Sequence, residues 1–131
     1  MLPTTALIAF GLLTMILITI EIFYVYLFIG FGYGLSSNRP PVEKTPMGLR
    51  IERTYRNQIE SASYIVPALA AAAILGLDSS AATTAALLII VGRAVYAVLY
   101  YTGIPALRIL GFTTTSISTL YIYYLVFTAM A

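Results

Sequence analysis

Arg53, Arg56, Asn57 and Glu60 stand at i, i+3, i+4 and i+7, the spacing that puts four side chains on one face of a helix, and Arg50 and Glu52 come just before them. Guanidinium forks grip carboxylates, a carboxylate accepts from an ammonium, and an amide offers both donor and acceptor. A face of that make-up suits a zwitterionic ligand with more than one carboxylate. A second set follows: Arg93, Tyr96 and Tyr100 are again three and seven apart, and Arg108 comes eight residues later. Their phenols add hydrogen-bond donors to the same chemistry. The surrounding sequence is lipid-soluble, and charge in a bilayer usually marks function. A polar stripe there is expected to point into a bundle or a cavity rather than into lipid.

Each of these groups also has a purely structural reading. Arg53 near a helix start can be an interfacial residue whose charge snorkels to water. Arg56 and Glu60, four apart, can form a self-satisfied ion pair. Arg93 can pair with Glu21, since both are intramembrane and otherwise without a partner. Among the eleven tyrosines, Tyr121, Tyr123 and Tyr124 read as packing or as an interfacial belt.

Composition says what must hold these side chains in place. The hydrophobic share is 60%, the charged share 9% and the mean hydropathy +0.93. A soluble domain has about 25% charged residues, so the chain belongs among membrane proteins. Its 131 residues make one domain, 1–131. A net charge of +2 with no solvated basic patch argues against nucleic acid. The absence of cysteine removes disulfides and protein thiol chemistry, and the absence of histidine removes the usual metal ligand and proton shuttle. No metal or haem is expected.

Four apolar segments emerge, at about 3–35, 49–76, 79–101 and 104–130. The first is far too long for a signal-peptide core and lacks a basic leader. Residues 36–48, SSNRPPVEKTPMG, form the one long linker, rich in proline and turn formers. LGLDSS closes the second segment with a glycine stop and opens the third with an Asp/Ser start. The expected fold is all-α: an integral membrane four-helix up-down bundle with one long and two short connections. The small-residue tracts 70–73 and 81–86 allow close helix contact, within the subunit or between copies.

Arg39, Lys44 and Arg50 flank the linker, whereas the next turn offers only Asp78. The positive-inside rule then puts the linker in the cytoplasm and both termini outside it. At about 1.5 Å per residue, Arg56 and Glu60 lie roughly 10 and 16 Å in, and Arg93 roughly 12 Å from its helix end. Arg108 falls in the first turn or so of the last helix. All of these charges are expected in the cytoplasmic half. A short linker without a targeting signal suggests a bacterial inner membrane, with a eukaryotic endomembrane as the alternative.

The run from Glu52 to Glu60, ERTYRNQIE, resembles the ERxxRNxxE-type signature of the MAPEG family, the membrane-associated proteins in eicosanoid and glutathione metabolism. The segment from Arg93 to Tyr100, followed by Gly103 to Arg108, is similar to that family's third helix and the arginine after it. Pro67 lies farther from Glu60 than the family's proline does from its glutamate, and Phe112 stands where some relatives have tyrosine. The resemblance implies a homotrimer with glutathione as co-substrate between subunits. Arg53, Arg56, Asn57 and Glu60 would hold the tripeptide, with Tyr96 and Tyr100 lining the same site beside Arg93. Arg39 resembles an arginine that family enzymes use there. Arg108 would be the catalytic residue, facing the sulfur and stabilising the thiolate, as a fixed cation in a dry site does.

The expected function is that of a glutathione-dependent transferase or peroxidase acting on lipophilic small molecules that enter from the membrane lipids. The alternative is a non-catalytic lipid-binding scaffold or an accessory subunit with a partner in a membrane complex. A transporter is disfavoured, because neither an inverted repeat nor a pair of broken helices is visible.

Overall fold

A computed structural model describes all residues, Met1–Ala131. The first helix, α1 (Pro3–Tyr24), opens with proline at its first turn, where the missing N–H costs nothing. It runs on through a π-helical turn, Val25–Ile29, and stops at Gly30, whose φ of 130° and ψ of 155° suit only glycine. A short helix, α2 (Phe31–Leu35), follows. The apolar run to residue 35 is therefore broken in two.

The next helix, α3 (Pro46–Ile74), begins inside the stretch read as linker. Thr45 caps it, its hydroxyl oxygen accepting from the Gly48 N–H at 3.1 Å. Thr45 is itself held by Tyr24, whose phenol oxygen accepts from the Thr45 N–H at 3.2 Å and lies 3.1 Å from its hydroxyl. A Cβ at residue 48 would run into the Tyr24 ring, so glycine is required there. The end of α1 is thus latched to the start of α3.

Ser79 caps α4 (Ser80–Thr102), and Gly103 ends it in the left-handed conformation at φ 73°. Residues 103–108 form a turn containing Pro105 and Ala106, the latter at φ 66°. The last helix, α5, spans Ile109–Met130 and so begins five residues later than expected.

Where α4 and α5 cross, backbone meets backbone. A Cβ at Gly111 would lie 2.6 Å from the Tyr96 amide nitrogen, and one at Gly92 would lie 2.9 Å from the Gly111 carbonyl oxygen. The Thr115 hydroxyl donates across this contact to the Ile89 carbonyl at 3.2 Å. Small residues permit that approach. Helix α3 packs against α1, α4 and α5. The alanine tracts are used within the subunit, with Ala72, Ala82 and Ala86 fully buried.

The apolar core, built around Phe10, Ile65, Leu69, Ile89 and Ile122, fills the half of the molecule remote from the linker. The linker half has polar groups inside instead: Thr54, Gln58 and Arg93. Three helical segments are long and apolar enough to cross a membrane: Pro3–Ile29, Ser80–Thr102 and Ile109–Met130. Their outward faces expose large apolar residues such as Ile8, Leu12, Val98 and Leu120, which suits lipid and not water. The protein is a membrane protein.

Candidate functional site

Helix α3 divides its polar residues between two faces. Thr54, Gln58 and Ser61 continue the inward spacing of Ile51 and Ile65, and all are buried. Arg53, Arg56 and Glu60 are exposed, and Asn57 is half-buried with its side-chain oxygen enclosed and unpartnered. The stripe expected to point inward therefore lies on the outer face of the subunit.

Arg56 does not pair with Glu60. It turns back to Glu52, donating at 3.0 Å, and Lys44 takes the other oxygen of Glu52 at 3.1 Å. Glu60 makes no ion pair, which leaves a free carboxylate on the outer face, two turns along from Arg53. Arg50 points the other way, with its guanidinium packed against Gly103 at the end of α4, where the helix dipole favours a cation.

Arg93 does not pair with Glu21 either. It is 1% exposed, and its Nε donates to the Gln58 side-chain oxygen at 3.0 Å. The Gln58 amide donates onward to the Thr14 hydroxyl at 3.1 Å, which bonds the Phe10 carbonyl at 2.8 Å. This relay ties α4 to α3 and α1 through the bundle. The guanidinium also lies 4.6 Å from the Tyr96 ring centroid, a cation–π contact that offsets part of its desolvation. Its two amino nitrogens are buried without a partner. Gln58 was invisible to a search for charge, although its four-residue spacing from Thr54 and three from Ser61 marks a polar line on an apolar face.

Tyr96 is where the second set converges. Its ring meets Tyr100 edge-on at 5.6 Å and Phe112 at 6.2 Å. The Arg93 guanidinium covers its face. Arg108 sits over the Tyr100 ring at 4.6 Å and occupies the N-cap of α5, where the helix dipole adds to its attraction for an anion. Arg93, Tyr96, Tyr100 and Arg108 thus form one neighbourhood, while Glu60 stands on the outer face of α3 and Arg56 is paired with Glu52. Arg39 lies elsewhere: it donates to the Gly34 carbonyl, sits 5.8 Å from the Tyr33 ring centroid and borders a pocket with Glu21.

Such a site can hold carboxylates on guanidinium groups, an ammonium on Glu60 and an anionic atom near Arg108. Comparison with curated proteins and with solved structures returned no match. A sequence profile of the MAPEG family matches residues 3–128, nearly the whole chain. With that match and its membrane-spanning helices, the chain belongs to the MAPEG family.

Proposed function

We propose that the protein is a membrane-embedded glutathione-dependent transferase or peroxidase. The observation that carries this reading is the stack in which Arg93 lies over the Tyr96 ring and Arg108 over the adjoining Tyr100 ring, in a subunit whose outer face carries Arg53 and Glu60 not paired with each other. That donor set fits the tripeptide: arginines for its two carboxylates, Glu60 for its ammonium, Asn57 for an amide. Because Arg53, Asn57 and Glu60 face outward, the ligand would lie between subunits. We take the assembly to be a homotrimer of four-helix up-down bundles, with α3 as a fourth span shielded from lipid by its neighbours. Arg39 joins this site only if a neighbouring subunit brings it. The linker faces the cytoplasm in this reading, and the membrane is a bacterial inner one.

Arg108 and the α5 dipole would favour the thiolate over the thiol. The thiolate then attacks an electrophilic carbon of a lipophilic substrate, forming a C–S bond as the leaving group departs with its electron pair. With a lipid hydroperoxide, two glutathiones give one disulfide, and the peroxide leaves as an alcohol and water. Turnover of an aryl halide by protein in nanodiscs tests the assignment. Arg108→Ala should lower kcat at least about 100-fold, as loss of one charge-stabilising group typically does, with KM for glutathione little changed. An unchanged kcat would refute the role given to Arg108.

One observation favours a non-catalytic lipid-binding scaffold or accessory subunit. Arg56 and Lys44 both pair with Glu52 within the chain, which offsets one of their two charges without a ligand anion. Binding of glutathione without turnover of any electrophile would select that reading.

A further inference from the structure

Glu21 lies within the first membrane span and outside the site described above. One of its carboxylate oxygens is buried without a hydrogen-bond partner. Lys44 and Arg56 are in electrostatic range, but both are bound to Glu52 and neither forms an ion pair with Glu21. The Tyr101 hydroxyl, also in range of Glu21, is buried and unpartnered as well. An intramembrane carboxylate without a partner is expensive and calls for a cation.

Glu21 borders a cavity of about 260 Å³ whose other walls are Ile18, Ile22, Val25, Tyr26 and Arg39. At about 30 Å³ per water-sized group, that is room for eight or nine such groups, the size of a phosphoethanolamine headgroup. The cavity follows the first span from Ile18 to Tyr26, toward its linker-side end, and Arg39 of the linker is its one wall from another segment. Apolar residues of α1, among them Ile22, continue from it along the lipid-facing surface. Carboxylate, guanidinium and apolar wall are arranged as the parts of a zwitterionic lipid are.

We propose that this pocket binds phosphatidylethanolamine, with its ammonium on Glu21, its phosphate on Arg39 and an acyl chain along α1. A primary ammonium can donate to the Glu21 carboxylate where it borders the cavity. A choline headgroup has no N–H to donate and would need an aromatic cage, which Tyr26 alone does not make. A glycerol headgroup brings no cation, and a serine headgroup adds a carboxylate that Glu21 repels.

Native mass spectrometry of the purified protein, offered phosphatidylethanolamine, phosphatidylcholine and phosphatidylglycerol in turn, tests this. The wild type should retain the ethanolamine lipid at least tenfold better than the other two. Glu21→Gln should erase that preference, and Ile22→Trp, which fills the pocket and keeps both charges, should reduce retention of all three. Glutathione titration of Glu21→Gln should match wild type, which separates this site from the one around Tyr96. Equal retention of the three lipids by the wild type would overturn the proposal, as would an undiminished ethanolamine preference in Glu21→Gln or undiminished lipid retention in Ile22→Trp.

Discussion

Replacing Gln58 by leucine tests the logic of the polar interior most sharply. Gln58 supplies the one hydrogen-bond acceptor found for the Arg93 guanidinium, at 3.0 Å, inside a region with almost no solvent access. A hydrogen bond to a charged group contributes about 1.5 to 3 kcal/mol, and the lost amide bond to Thr14 about 1 more. Leucine of similar volume returns a little packing, so Gln58→Leu should destabilise by about 2 to 4 kcal/mol, in line with the cost of stripping a partner from a buried charge. Arg93→Met alone removes the charge along with its unpartnered nitrogens, but strands the Gln58 oxygen, and should cost about 1 to 3 kcal/mol. The double variant Gln58→Leu/Arg93→Met leaves neither group stranded. It should lie within about 1.5 kcal/mol of wild type, since an apolar replacement of a whole buried polar pair is often near neutral. The coupling between the two sites would then be about 1.5 kcal/mol or more, well beyond the ~0.5 kcal/mol scatter of independent sites. Equilibrium unfolding in mixed micelles, followed by helical circular dichroism or by emission from the eleven tyrosines in this tryptophan-free chain, would measure it. Additive effects, or a Gln58→Leu cost under about 1 kcal/mol, would refute the view that Gln58 satisfies a buried cation.

Two further substitutions probe the frame that holds the site. Gly111→Ala would put a methyl group 2.6 Å from the Tyr96 amide nitrogen and push α5 off α4. It should destabilise by about 1 to 3 kcal/mol, the usual cost of overpacking, and lower glutathione affinity by shifting Tyr96; stability equal to wild type would contradict the contact. Ala106→Gly should stabilise by about 0.5 to 1 kcal/mol, because the left-handed backbone costs alanine more than glycine loses in the unfolded chain. Loss of stability there would show that the turn before Arg108 adopts another conformation.

Some of this was legible in the residues and some was not, for physical reasons. The membrane class and three of the four expected spans followed from composition and from apolar runs that few other folds tolerate, whereas α3 is too polar to qualify by length and composition. Gly30 was masked because the residues around it are uniformly apolar, although Gly30, Gly32 and Gly34 in succession were a warning of a break. Arg56 has a glutamate four residues away on either side, and spacing alone does not choose between them. The preference for a glutamate on the N-terminal side of its cation favours Glu52, the partner the structure has. Arg93 stood out as an intramembrane charge, but its partner is a neutral amide on another helix, 35 positions away. Sequence carries no inter-helix distances, so the formal opposite charge, Glu21, looked the better match. Tyr96, Tyr100 and Arg108 came together as their spacing on one helix and the following turn implied. The stripe on α3 had the correct register and the opposite facing, because spacing fixes which residues share a face and not which way that face turns.

Calorimetric titration of glutathione into the purified protein in lipid nanodiscs decides whether the tripeptide binds at all. A saturable heat is expected at millimolar glutathione or below, with one tripeptide per subunit. No heat across that range, from protein shown to be folded, would contradict it.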